Sequence, residues 1–288
     1  MKNTLKKWST ILATTLFLTG SQKLSAQQSF ELPLWPDGAP YPNEVTGKEK
    51  MDSNGHIYNI STATLTVYIP ESSNGKAIMA CPGGGYYLIS SHHEGHHFAK
   101  WLNEQGIVYA VLKYHLPNGN GQIPLQDAQK ALQLLHQHAN EWGIKKIGVM
   151  GFSAGGHLAS TIATHFKNEL RPDFQILFYP VISLQKEITH SGTRDSFLGK
   201  SPTQDMVDAY SNELQVTAQT PPAFLLHCSD DPAVPVANSL RYYEALLQHQ
   251  VPATLHCYPK GGHGWGCKDN FPYKNEWMIE LSRWLKEL

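Results

Sequence analysis

Gly151-Phe152-Ser153-Ala154-Gly155 is a G-x-S-x-G pentapeptide, placed between the apolar run "KIGVM" and the helical stretch "AGGHLASTIATHF". A serine at such a strand-to-helix turn stands clear of the backbone, and the flanking glycines leave no Cβ to collide with it. The chemistry this suggests is acyl transfer through an activated hydroxyl. Serine is a weak nucleophile until a base takes its proton, and the base needs a carboxylate to orient it. Both follow later in the chain, each after a strand-like run. "AFLLHCS" leads into Asp230-Asp231-Pro232-Ala233-Val234-Pro235, and "ATLHCYP" leads into Lys260-Gly261-Gly262-His263-Gly264-Trp265. We assign Ser153 as nucleophile, His263 as base and Asp231 as orienting acid. Asp230 is the neighbouring rival. His157, one helical turn beyond Ser153, is expected to pack against the sheet rather than act as the base.

A tetrahedral oxyanion needs backbone donors. Cys81-Pro82-Gly83-Gly84-Gly85-Tyr86 follows the apolar "AIMA" and can turn consecutive N–H groups toward one point. The expected donors are Ala154 N–H with one or two of Gly83, Gly84 and Gly85. Such chemistry needs no cofactor. A second motif competes. "SHHEGHHFAKW" contains His93-Glu94-x-x-His97, the H-E-x-x-H spacing that places two imidazoles on one helix face for zinc. Gly95 inside it disfavours a rigid helix, and no third ligand stands at a recognisable spacing, so no metal site is expected. His92 or Glu94 is instead expected at the rim of the serine site.

The elements that must position these residues alternate. Strand-like runs begin at "LTVYIP", "AIMACP", "IVYAVLKYH", "KIGVMGF", "FQILFYPVI", "AFLLHCS" and "ATLHCYP". Between and after them lie the helical patterns "GHHFAKWLNEQ", "LQDAQKALQLLHQHANEWG", "AGGHLASTIATHF", "ANSLRYYEALLQHQ" and "KNEWMIELSRWLKEL". This alternation predicts an α/β architecture with a mostly parallel sheet covered on both faces, its site at the carboxyl ends of the strands. Residues 27 to 60 read as an irregular strap. Residues 184 to 218 read as a short inserted cap with one helix near Met206 to Glu213.

The 288-residue chain has 41% hydrophobic and 16% charged residues, an ordinary globular composition. Lys2, Lys6 and Lys7 precede "ILATTLFLTG", an apolar stretch too short to span a bilayer, and Ala26 offers a cleavage point. Residues 1–26 therefore read as a signal peptide and 27–288 as one catalytic domain, with a periplasmic or extracellular destination. Cleavage removes four lysines and no acid, leaving the chain more acidic than its formal charge of −1. Nucleic acid and a membrane anchor are not expected as partners. Export permits disulfides, with Cys228, Cys257 and Cys267 as the candidates, but the strand-like runs favour buried thiols.

The ordered motifs resemble α/β-hydrolase esterases of the acetylxylan esterase type from bacterial plant-polysaccharide systems. "LPLWPDGAPYPNE", "CPGGGYYLIS", "VLKYHLP", "IGVMGFSAGGHLAS", "RPDFQILFYPVIS", "SNELQVTAQTPPAFLLHCSDDPAVPVANS" and "YPKGGHGWG" carry the resemblance, from about residue 32 to residue 266. It implies an α/β-hydrolase fold with the nucleophile at Ser153, the acid at Asp231 and the base at His263. It also implies deacetylation of plant-wall carbohydrate. Tyr114-His115-Leu116-Pro117 departs from the family's Tyr-Arg-Leu-Pro, so any ion pair made by that arginine is expected to be weaker. Tyr86, Tyr87 and Trp265 are the candidates for sugar contact, with Tyr179 nearby; plain packing is the competing reading. Rival functions are a feruloyl or general carboxylesterase, a prolyl-oligopeptidase-like peptidase, a zinc hydrolase and a non-enzymatic binding protein.

Overall fold

A computed structural model describes residues 28–41 and 47–288; the expected signal peptide lies outside the described residues. Eleven strands are present in this part of the chain: β1 (Gln28–Pro33), β2 (Lys50–Met51), β3 (His56–Tyr58), β4 (Thr64–Ile69), β5 (Lys76–Cys81), β6 (Ile89–Ser90), β7 (Val108–Lys113), β8 (Lys146–Phe152), β9 (Phe174–Phe178), β10 (Ala223–Cys228) and β11 (Ala253–Tyr258). Eight of them form one sheet in the order β1-β4-β7-β5-β8-β9-β10-β11. Pairing is antiparallel from β1 to β7 and parallel from β7 to β11. The central strands are near-continuous apolar runs because both faces are covered. Along β5, Ala77, Met79 and Cys81 join one buried cluster while Ile78 and Ala80 join the other.

Helices α2 (Gln122–Gln137), α3 (Ser153–Thr164) and α6 (Ala237–Gln248) contribute their apolar stripes to the first cluster. Helices α1 (Ala99–Asn103) and α7 (Lys274–Glu287) contribute to the second. Trp277 of α7 is its keystone, fully buried with Phe98, Trp101, Phe178 and Trp265 around it.

Two regions differ from the sequence reading. The strap supplies a full edge strand, β1, plus β2 and β3 of a small sheet that β6 completes. Pro and Gly flanks hid the "QSFEL" alternation. The cap holds two helices, α4 (Ser191–Leu198) and α5 (Gln204–Ala209), rather than one. α4 gave little signal because its apolar residues come only at its end, and its N-cap acceptor is a histidine ring, His190 Nδ1, accepting from Thr193 N–H.

All four cysteines are free. Cys228 and Cys257 lie on adjacent strands, but the register pairs His227 with Cys257 and Cys228 with Tyr258, so the two thiols face opposite sides of the sheet. His115 does keep an ion-pair partner. Its N–H and its Nδ1 both reach Asp127 Oδ2, and Trp35 Nε1 donates to the other oxygen. Burial opposes the charge on His115, yet the Asp127 hydrogen bond and charge, with a hydrogen bond to the Ser61 backbone, outweigh it and raise the imidazole pKa.

Trp277→Ala should lower the free energy of unfolding by about 3–5 kcal/mol in chemical denaturation. Trp277→Phe should cost less than half as much. It keeps most of the packing and removes an indole N–H that is buried without a partner.

Candidate active site

Because β5, β8, β10 and β11 run parallel, the loops that leave them meet at one edge of the sheet. Ser153 opens α3 directly after β8 with φ 51°, a left-handed conformation that costs a side-chain-bearing residue of order 1–3 kcal/mol. Surrounding contacts enforce it. A Cβ at Gly155 would collide with the Cys81 carbonyl oxygen, and one at Gly151 would come within 2.6 Å of Ala159 Cβ. The turn is tight enough to exclude side chains two residues to either side of the serine.

His263 Nε2 lies 2.8 Å from Ser153 Oγ. Its Nδ1 lies 2.7 Å from Asp231 Oδ2. The carboxylate can only accept, so Nδ1 carries the proton and Nε2 is left to accept from the serine hydroxyl. Asp231 Oδ1 accepts from Ala233 and Val234 N–H, both at 2.9 Å. Burial works to raise the Asp231 pKa, but hydrogen bonds from His227 and His263, the His263 charge and the Val234 N–H together hold it well below the usual carboxylate range. Asp230 serves differently: it accepts from Gly261 and Gly262 N–H and shapes the loop that carries His263. His157 is fully buried with both nitrogens engaged. Nε2 donates to the Tyr210 carbonyl, which leaves Nδ1 to accept from the Tyr86 hydroxyl.

The glycine loop is only partly as expected. Ala154 N–H, in the first turn of α3, and the Gly84 and Gly85 N–H groups have no intramolecular acceptor among the described residues. Gly83 N–H is different, because it donates to Glu94 Oε2 at 2.9 Å and is not available to an oxyanion. Two aromatic assignments are also corrected. Tyr86, 1% exposed, packs among Tyr114, His157 and Phe197. Trp265, 3% exposed, stacks on Phe271 at 3.9 Å. Neither has a ring face open to solvent. Tyr87 is 56% exposed, beside Gly85 and across Gly192 from His190.

The H-E-x-x-H segment does not form a zinc-binding helix face. Residues 91–95 are turns, and helical structure begins only at His96. Glu94 points inward, 3% exposed. Three more residues border the site, of which His227 and His190 escaped the sequence reading. His227, fully buried on β10, lies 3.3 Å from Asp231 Oδ2; a histidine in an otherwise apolar run was the signal. Tyr179, after β9, packs on the His263 ring at 4.7 Å. His190 half-buries near His263, and burial followed by the His263 charge lowers its pKa.

The architecture and this edge define the molecule as an α/β hydrolase. The chain belongs to the BD-FAE family, whose model matches residues 65–246. It is 40% identical to an acetylxylan esterase of Xylanibacter ruminicola over 78% of this chain and 48% of that protein. It is 33% identical to endo-1,4-β-xylanase B of Butyrivibrio fibrisolvens over 65% of this chain and 32% of that protein. The chain thus spans half or less of these curated relatives. A crystal structure of an acetyl ester-xyloside bifunctional hydrolase from Caldicellulosiruptor lactoaceticus superposes with a TM-score of 0.77 at 36% identity, covering 90% of this chain and 96% of that one.

Burial depresses the His157 pKa from 6.5 to about 4, against the Tyr210 carbonyl bond that raises it. The unfolded chain therefore takes the proton first. Stability from the neutral ring is complete above about pH 6.5 and is lost as pH falls toward 4, by roughly 3 kcal/mol at most. Denaturation at pH 7.5 and 4.5 should show His157→Gln losing less stability on acidification than the parent. An equal loss in both would rule out this linkage.

Proposed function

We propose that the chain is an exported carboxylic ester hydrolase that removes acetyl groups from plant-wall carbohydrate, either acetylated xylan or xylo-oligosaccharides. The observation that carries this reading is the unbroken hydrogen-bond line from Ser153 Oγ through His263 to Asp231, at 2.8 and 2.7 Å. Ser153 attacks the ester carbonyl while His263 Nε2 takes its proton and Asp231 stabilises the imidazolium. The tetrahedral oxyanion sits between Ala154 N–H, where the α3 dipole adds to the field, and Gly84 N–H. His263 then protonates the leaving sugar oxygen, and water repeats the sequence to release acetate.

The sugar reading draws support from the names of the relatives and from the mouth of the site. Tyr87 stands open there with His190 across Gly192. His190 Nδ1 accepts from the Thr193 backbone N–H, so the ring's proton lies on Nε2, a donor suited to a sugar oxygen. Among the described residues, no helix is long and apolar enough to cross a membrane.

Acetate release from acetylated xylan and xylo-oligosaccharides, assayed beside feruloyl esters, tests the reading. Ser153→Ala should lose about 10⁴-fold or more of kcat/KM, and Asp231→Asn about 10³–10⁴-fold. Asp230→Asn should lose less than about tenfold, because its role is confined to shaping the loop. Full activity in Ser153→Ala would sink the mechanism; turnover of feruloyl esters alone would sink the substrate.

A further inference from the structure

Glu94 is the one member of the H-E-x-x-H motif that turns into the protein, and the mechanism above gives it no role. Its two oxygens hold two different loops. Oε2 accepts from Gly83 N–H at 2.9 Å, and Oε1 accepts from the Tyr179 hydroxyl at 2.8 Å. That hydroxyl in turn accepts from Gly266 N–H at 2.8 Å, three residues beyond His263. The Tyr179 ring lies edge-on to the His263 imidazole. One buried carboxylate therefore ties the glycine loop after β5 to the histidine loop after β11.

Gly83 is also the point where the glycine loop rests on the nucleophile. A Cβ there would stand 2.7 Å from Glu94 Oε2, 2.8 Å from the Phe152 carbonyl oxygen and 2.9 Å from Ser153 Cβ. The next peptide plane is pinned from its other side, where the Gly83 carbonyl accepts from Ser90 N–H. In a trans peptide the N–H points opposite to the C=O, so this bond turns Gly84 N–H away from β6. With Gly83 N–H fixed by Glu94 and Gly83 C=O fixed by Ser90, the free donor of Gly84 has a set direction before substrate arrives.

Resting on the ester-hydrolase reading, we infer that Glu94 is a positioning residue for the reaction: its carboxylate fixes Gly83 so that Gly84 N–H meets the oxyanion, and through Tyr179 it fixes the loop of His263. A carboxylate suits this place because both neighbours are donors, so an acceptor-only group satisfies them together. Burial raises the Glu94 pKa, while the Tyr179 hydrogen bond, the His263 charge, the Gly83 N–H and the Lys268 charge lower it in turn. The charges that lower it are those of Lys268 and of His263, the imidazole that becomes positive as Ser153 loses its proton.

The test compares Glu94→Gln and Tyr179→Phe with the parent full chain. Glu94→Gln keeps the shape but turns one oxygen into a donor facing Tyr179. Tyr179→Phe keeps the ring against His263 and removes the hydroxyl from the network. Two rates are read: kcat on 4-nitrophenyl acetate per titrated serine, and the second-order rate at which a fluorophosphonate labels Ser153. In Glu94→Gln both should fall tenfold or more with KM within twofold. In Tyr179→Phe both should fall threefold or more. Rates within twofold of the parent in both variants, or a rise in KM with kcat unchanged, would overturn the role of Glu94. If Glu94→Gln does not fold, Tyr179→Phe decides alone. A parent that labels at Ser153 yet hydrolyses no acetyl ester would instead count against the proposed function, and the labelling rates would still judge Glu94.

Discussion

The rest of the structure is arranged around the crowding at one turn. Ser153 occupies a left-handed conformation where the chain leaves β8 and enters α3 without room for a side chain at Gly151 or Gly155. The Cys81 and Pro82 carbonyl oxygens press on Gly155, Pro180 presses on Gly156, and Gly83 rests on Ser153 itself. Such contacts exist only if β5, β8 and β9 lie side by side in parallel register. The strain at the serine is thus held by the middle of the sheet, the most rigid part of an α/β fold.

Placing reactive groups at the end of a buried sheet also obliges the protein to bury charge. Each such group has partners chosen for it. Asp231 has His263, His227 and two backbone N–H groups; Glu94 has Gly83 and Tyr179. The buried histidines are partnered in the same way. His157 holds Tyr86 and Tyr210, and His227 holds Ser239 and Val234. Leaving any of these unpaired in so low a dielectric would cost far more than the hydrogen bond returns in water. Specific partners, rather than apolar packing, therefore define the geometry at this edge.

Much of this was legible in the chain itself. The alternation of short apolar runs with helical patterns gave the parallel sheet, because strands buried on both faces must be apolar throughout. Ser153, Asp231 and His263 could be picked out because each follows such a run, and parallel strands bring such loops to one edge. Local pattern failed where the signal is not local. Tyr86, Tyr87 and Trp265 are all aromatics in glycine-bearing loops, yet two are core and one is surface. β1 hid among prolines and glycines because its partner β4 lies more than thirty residues away.

The sequence by itself determined which residues are available for chemistry and, through periodicity and chain order, that they meet at one end of a sheet. Tertiary structure decided which donors remain free. Gly83, Gly84 and Gly85 are indistinguishable in sequence, but only in the fold does Glu94 take the N–H of the first. The same glutamate reads as part of a zinc motif until the turn at 91–95 swings it beneath the glycine loop. Hydrogen-bond capacity is fixed by residue type, whereas its use depends on which distant groups come within about 3 Å, and that is settled only when the chain is packed.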